Sequence, residues 1–485
     1  MTTTFGSDDA TAPGGAAAID GEASAAEGKA AGAGAASAGR LLDRGHRAVT
    51  AGIVLVVTLL AFEAMAVGTV MPVTARDLDG LELYAWAFSA TFIASVFALV
   101  LAGGWCDRSG PAHPLLTGLA VFVAGLAAAG FAPSMWVFVL GRAVQGLGSG
   151  LAMVPLYVVV ARVYPEPLRP RAFAALSAAW VLPSLLGPAV GGTVAEHAGW
   201  RWVFLGLIPL VVPPTVMLVP ALRGLRRPSG SAPPPRTARH ASRVLAAVTT
   251  AAGAAALLYA LDHPRWSLLP VAAAAAAGLG FGLLRLMPAG TLRMRRGLPS
   301  VVLARGLLAG AFFGTDVFIP LALTSLHGFS PTQAGVVLMG ASLGWSAASQ
   351  YQGRSRRPRA FFAVLGAGFV TAGVVAVTIT AQLPGWWTAP AWILGGVGMG
   401  LAIGSFSVLL LELSPEDEQG VNSSALQIAD TLGSSLVVGA AGAVVTGFGA
   451  DRLRVGLAVA GAMVAVVAVL GVLACLRLTP SEGNG

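Results

Sequence analysis

The chain has 485 residues, 56% hydrophobic and only 11% charged, with a formal net charge of +8. A soluble domain carries roughly 25% charged residues, so a mean hydropathy of +0.77 excludes an ordinary soluble enzyme or binding domain. Apolar stretches of about 20 residues recur along the chain, each long enough to span hydrocarbon as a helix, and the ten-residue alternation of a membrane β-barrel does not appear.

In chain order, residues 1–45 come first, rich in Ala, Gly and Ser and carrying Asp8, Asp9, Asp20, Glu22 and Glu27. They lack the basic start and apolar centre of a signal peptide and are predicted to form a disordered cytoplasmic tail. Six spans follow at 48–73, 84–104, 113–132, 134–161, 172–195 and 201–222, forming an N-terminal bundle over 46–222. The basic, proline-rich stretch "RGLRRPSGSAPPPRTARHASR" (223–243) opens a linker region, 223–298, that holds two further spans at 244–261 and 267–287. Six more, at 299–326, 331–352, 360–382, 387–412, 420–447 and 453–477, make a second bundle over 299–478 before a short cytoplasmic tail, 479–485. The predicted fold class is therefore all-α membrane: two six-helix bundles plus two extra central transmembrane helices, fourteen in total.

Arginine placement orients the chain. Loops on the side of the termini hold Arg162, Arg169, Arg171, Arg223, Arg226, Arg227, Arg236, Arg239, Arg243, Arg285, Arg293, Arg295, Arg296, Arg354, Arg356, Arg357 and Arg359. The opposite loops hold Arg76, Arg201, Arg265, Arg452 and Arg454. This asymmetry predicts both termini in the cytoplasm. It also accounts for the positive charge without nucleic acid, since no single basic face is left for a duplex. A weak repeat, "MPVTARDLDG" (71–80) and "IPLALTSLHG" (319–328), sets a proline and a glycine eight apart at the outer end of each bundle's first helix. Paired halves of this kind hold substrate between them at mid-membrane.

An ATP-binding P-loop needs a lysine after its glycines, and Lys29 is followed by Ala30. "GASLG" (340–344) fits the G-x-S-x-G pattern of hydrolases but lies inside an apolar run, where small residues serve helix packing. Cys106 and Cys475 have no metal-ligand company and read as packing residues. No enzyme, cofactor or metal site is expected. An ion gradient remains as the energy source: one charge crossing about 100 mV carries ~2.3 kcal/mol, and one pH unit adds ~1.4 kcal/mol.

A proton carrier must exist both charged and neutral, which points to ionisable groups inside the predicted helices. Glu63 in "LLAFEAMAVGTVMP" (59–72) and Arg142 fall in the first bundle at comparable predicted depth, where an ionised pair is less costly than either charge alone. Asp316 approaches mid-membrane from the second bundle, at a predicted depth matching Glu63, and Asp430 with Gln427 lies near the middle of the thirteenth span. Each carboxylate is also readable as a hydrogen-bonded packing residue. Arg305 is about two turns from the inner face, so its side chain is expected to snorkel to the interface. Phe62, Phe92, Trp180, Phe313 and Trp345 are candidate walls of an apolar pocket, although such residues are more often simply packing or lipid-facing.

These residues sit in a recognisable frame. "GGWCDRSG" (103–110) resembles the inner-loop signature of the major facilitator superfamily, with Gly103, Asp107, Arg108 and Gly110 matching and the usual following basic residues replaced by Pro111, Ala112 and His113. "GRAVQGLGSG" (141–150) resembles its helix-4 signature through Arg142, Gln145 and Gly146. "LLGPAVGG" (185–192) resembles the antiporter signature of helix 5 through Gly187, Pro188, Gly191 and Gly192, with Ala174 and Pro183 in place of glycines, and "WRWVF" (200–204) resembles the start of helix 6 in drug exporters. Fourteen-helix drug/proton antiporters carry an aspartate nine residues before a proline in helix 1, and Glu63 and Pro72 have that spacing with Glu in place of Asp. The resemblance implies an inner gate at Gly103, Asp107, Arg108 and Gly110. It also implies a kink at Gly187-Pro188 and close packing at Gly191 and Gly192 near the outer gate.

The expected function is proton-coupled export of amphipathic small molecules or drugs across the cytoplasmic membrane by a monomeric multi-pass protein, with Glu63 and Asp316 alternating between proton and substrate. A dedicated exporter of one endogenous metabolite or antibiotic is the alternative. A nutrient importer and a non-transporting membrane receptor are further readings.

Overall fold

A backbone that crosses hydrocarbon must pair its amides within its own segment, so apolar runs of this length fold as helices. The computed structural model describes residues 41, 43, 46–225, 238–415 and 418–479, and no strand occurs among them. Almost all of the predicted tail over 1–45 lies outside the described residues, as do 226–237 of the linker and 480–485.

The N-terminal half consists of α1 (Arg47–Asp77), α2 (Tyr84–Ser109), α3 (Ala112–Gly130), α4 (Met135–Val163), α5 (Arg169–Ala178), α6 (Val181–His197), α7 (Arg201–Leu205) and α8 (Leu207–Gly224). A hairpin of α9 (Ala238–Asp262) and α10 (Leu269–Leu286) follows. The C-terminal half consists of α11 (Leu298–Asp316), α12 (Phe318–Leu326), α13 (Pro331–Arg354), α14 (Arg359–Thr380), α15 (Thr388–Leu413), α16 (Gln419–Phe448) and α17 (Leu453–Cys475). We call the face with the start of α1 and the end of α17 the terminal face, and the opposite one the far face.

Among the described residues, twelve helices are long and apolar enough to cross a membrane. The two other predicted spans fall on helices that length and composition alone do not qualify. One is interrupted at Ala179–Trp180, which leaves α6 with 17 residues. The other, α13, carries Ser342, Ser346, Ser349, Gln350, Gln352 and Arg354 along its later turns. Gln352 is buried and donates to Ser405 Oγ at 3.0 Å.

Prolines explain where the long helices are interrupted. Pro320 cannot bond back to the Asp316 carbonyl and its ring crowds it, and the helix breaks there into α11 and α12. Tyr84 from α2 donates its hydroxyl to the Val317 carbonyl at 2.8 Å, in the same break. The kink expected at Gly187-Pro188 is not where the predicted fifth span is interrupted: α6 is continuous through Pro188, and the interruption lies four residues before Pro183. Both prolines still free a carbonyl, and each is taken up by a side chain. Thr58 Oγ1 donates to Ala179 O at 3.3 Å, and Ser342 Oγ donates to Ser184 O at 2.5 Å.

The halves meet at the far face along two seams. In the first, α6 lies against α13, and a Cβ on Gly192 or on Gly335 would collide with the Pro331 or the Pro188 carbonyl respectively. Glu196 accepts from the Thr332 hydroxyl at 2.6 Å, beside the capping box that Ser330 and Gln333 form at the start of α13. In the second, α2 lies against α16: Ser89 Oγ donates to Ser435 O at 3.1 Å, and Ser435 Oγ to Ser89 O at 3.3 Å.

Candidate functional site

The glycines of 141–150 set α4 deep between its neighbours. A Cβ on Gly141 would stand 2.7 Å from the Ala129 amide of α3, and one on Gly150 would stand 2.7 Å from the Ser95 carbonyl of α2. A Cβ on Gly146 would stand closer still to the Thr91 carbonyl. This approach carries the backbone of α2 to Arg142, whose Nε donates to Ala87 O at 3.2 Å. Its Nη1 donates to Gln145 Oε1 at 2.6 Å and pairs with Glu63 Oε1 from α1. Arg142 is 3% exposed, Glu63 4% and Gln145 0%, so this is a fully enclosed ion pair. Gln145 Nε2 is buried without a hydrogen-bond partner.

The C-terminal half holds a second pair, which corrects the expectation for Arg305. Instead of snorkelling to the interface, Arg305 turns inward and donates its Nε to Asp430 Oδ1 at 2.8 Å. The side chains are 13% and 17% exposed. Close packing makes this possible: a Cβ on Gly306 would lie 2.8 Å from Ala429 O, and one on Gly310 would lie 2.7 Å from Gly433 O. With α11 and α16 this near, the arginine reaches the carboxylate across the contact.

Asp316 differs from both. It forms no salt bridge among the described residues and accepts one hydrogen bond, from Trp392 Nε1 at 2.8 Å. Trp392, which sequence inspection did not single out, stacks on Phe312 at 4.7 Å. Phe312 also meets Trp345 edge-on at 5.6 Å and Phe313 at 5.4 Å, and Phe313 meets Phe92 from the other half at 6.1 Å. Phe92, Phe313 and Trp345 therefore belong to one aromatic chain that crosses between the halves and ends at the indole holding Asp316. Phe62 is partly buried against the main core, away from those ring contacts. Trp180 is 37% exposed at the interruption before α6.

At the terminal end of α2, Asp107 is exposed and Arg108 partly buried. Gly110 caps the helix with φ +76°, a conformation that favours glycine. A Cβ on Gly103 would meet no neighbouring helix within 4 Å in this state, which is shut at the far face. Gly187 and Gly191 do pack closely: Cβ atoms there would lie 3.0 Å from Met65 Cβ and 2.7 Å from Ala66 Cβ of α1. Gly344 of "GASLG" abuts α15, 2.6 Å from Ile393 O by the same measure, which is a packing role. Cys106 and Cys475 are free and buried. No cluster of three or more potential metal ligands occurs among the described residues.

Two helical halves with buried ion pairs at their cores and seams at one face agree with the family model described as Major Facilitator Superfamily, which matches residues 53–438. The chain belongs to the major facilitator superfamily. This is a family of membrane transporters, not of enzymes, and it makes the chain a secondary transporter of small molecules.

Among curated superfamily members, the chain is 27% identical over 408 residues to a "Probable multidrug-efflux transporter" of Mycobacterium tuberculosis, covering 80% of this chain and 85% of that one. It is 23% identical over 422 residues to a "Multidrug transporter protein" of Bacillus subtilis, covering 81% and 74%. Among solved structures, a POT family transporter in complex with 5-aminolevulinic acid aligns with a TM-score of 0.66 at 12% identity, covering 90% of this chain and 98% of that one. A bacterial homologue of the human lysosomal transporter Spinster, inward-facing and unoccupied, aligns with a TM-score of 0.61 at 14% identity, with the same coverage. At these identities the likeness is one of fold.

Proposed function

We propose that this superfamily member is a proton-coupled exporter of amphipathic small molecules, cations among them, working by alternating access across the cytoplasmic membrane. The observation that carries the proposal is the enclosed Glu63–Arg142 pair of one half together with an interior carboxylate of the other, Asp316, that forms no salt bridge among the described residues. A carboxylate inside a membrane protein is costly unless something compensates it. For Glu63 and Asp430 the compensation is an arginine, and for Asp316 it is a proton or a cationic substrate. Relatives named for multidrug efflux support the direction of transport and a broad substrate range.

Several finer assignments belong to the same proposal. The terminal face is cytoplasmic, because the arginine-rich loops lie on it. The interrupted α5–α6 and the polar α13 cross the membrane with the twelve qualifying helices, giving fourteen spans. Gly103, Asp107, Arg108 and Gly110 form a cytoplasmic gate that closes when the far face opens, and Gly187, Pro188, Gly191 and Gly192 serve the opposite gate.

The test is substrate-induced proton release from everted vesicles, run with several unrelated cationic dyes. Wild-type vesicles should release protons on dye addition, and a protonophore should abolish dye gradients. Glu63→Gln should remove coupling, and the Glu63→Gln/Arg142→Gln double variant, which leaves no uncompensated charge, should be equally uncoupled. Coupling that persists unchanged in either variant would take Glu63 out of the mechanism.

A further inference from the structure

The hairpin α9–α10 is the part of the chain that the transport reading leaves without a task. Its buried side chains decide where it sits. Leu258 of α9 and Leu279 of α10 share one apolar cluster with Ile93 and Val96 of α2 and with Ile428 and Leu432 of α16. The hairpin thus packs on both halves at once, over the line where they meet. A Cβ on Gly439 of α16 would lie 2.5 Å from Leu258 Cδ1, so a glycine lets α9 seat against this helix.

At the far end of α9, the last residue makes the same connection with polar groups. Asp262 Oδ2 accepts from Trp86 Nε1 of α2 at 3.4 Å. Its Oδ1 lies 2.9 Å from Thr446 Oγ1 of α16. The Thr446 hydroxyl has one proton and also lies 3.1 Å from Gly442 O, but the charged acceptor at shorter range is the stronger one. The carboxylate is 11% exposed, so water competes little for it. Directly beneath, Gly442 admits Ala85 of α2 into contact with α16.

We propose that the α9–α10 hairpin is a brace across the α2–α16 seam, and that Asp262 is a positioning residue whose carboxylate ties the two halves together while the far face is shut. This rests on the alternating-access reading. When α2 and α16 part at the far face, α9 can follow only one of them. Asp262 then loses one of its two donors, and the apolar cluster is split. The brace therefore biases the transporter toward the state closed at the far face, and its strength sets how often that face opens. Asp262 reaches the transported molecule only through α2 and α16.

Spin labels at Phe131→Cys and Val455→Cys, exposed far-face positions on opposite halves, would report the separation. The background is the full chain in lipid nanodiscs with Cys106 and Cys475 replaced by alanine, and the readout is double electron–electron resonance. Loss of a hydrogen bond to a charged group should raise the long-distance population of Asp262→Ala about tenfold. Trp86→Phe and Thr446→Val, which keep the packing, should each produce most of that shift, and together little more than either alone. An unchanged distance distribution in Asp262→Ala would overturn the proposal. So would strictly additive effects of Trp86→Phe and Thr446→Val, the pattern of two unrelated packing losses. The distances are read without substrate or gradient, so failure to export any dye would strike the functional reading and leave the brace standing.

Discussion

Arg142 holds three acceptors at once, from α1, from α2 and from its own helix, and this makes it the keystone of the N-terminal half. Removing one member of an enclosed pair leaves the other uncompensated, which costs about 3–5 kcal/mol, whereas removing both costs far less. Arg142→Gln should therefore lower the melting temperature of the purified protein sharply. Adding Glu63→Gln should restore most of the stability without restoring proton coupling, and thermal melts of the two variants check this. The pair was legible in the sequence, because each residue is a costly charge in an apolar run. Depth was legible only roughly. Glu63 lies 14 residues from the far end of α1 (77 minus 63) and Arg142 seven from that of α4 (142 minus 135), yet the two touch. Counting along helices takes no account of tilt or of the reach of a guanidinium. The Arg305–Asp430 pair was missed for a related reason. Arg305 sits near enough to a helix end to read as an interfacial residue, and only the glycine contact between α11 and α16 turns it inward. Nothing in the apolar surroundings of Trp392 marks it as the donor to Asp316.

At the scale of helices, small residues and prolines decide which pairs come together. The α6–α13 seam depends on Gly192 and Gly335, each facing a backbone carbonyl that has no room to retreat. Gly192→Ala and Gly335→Ala should each hold that seam apart and favour the state open at the far face. A cysteine at Thr332 should then react several-fold faster with a membrane-impermeant maleimide applied from that side, and unchanged reactivity would mean that the seam tolerates the methyl. The motif residues of α6 were visible in the sequence, but the break ahead of Pro183 was not. Two prolines five residues apart each free a carbonyl, and each carbonyl is taken up by a neighbour distant in sequence. For Ala179 that neighbour is Thr58 of α1, and for Ser184 it is Ser342 of α13. The composition of α13 has the same origin. Its polar turns make hydrogen bonds to other helices, so it reads as less apolar than a span that faces lipid on one side.

For the molecule as a whole, the helical membrane class was legible in apolar runs tens of residues long, and the superfamily in the short motifs at 103–110 and 141–150. The proposed reading makes a further prediction at this scale. Asp316→Asn should abolish binding of a monovalent cationic dye, measured by fluorescence polarisation, while a neutral amphiphile still binds. If one such cation leaves for each proton that enters, no net charge crosses, and a membrane potential alone should drive no accumulation. The gradient should then be capped at about tenfold per pH unit in proteoliposomes. The two arginine–carboxylate pairs and Asp316 together have one more consequence. Counted as ionised, they sum to a single negative charge, located at Asp316. One proton or one singly charged guest cancels it, and a doubly charged guest overshoots. On the proposed reading, the interior would sort its cargo by valence before shape is tested, and a dication would need a second acidic group that this pairing does not leave free.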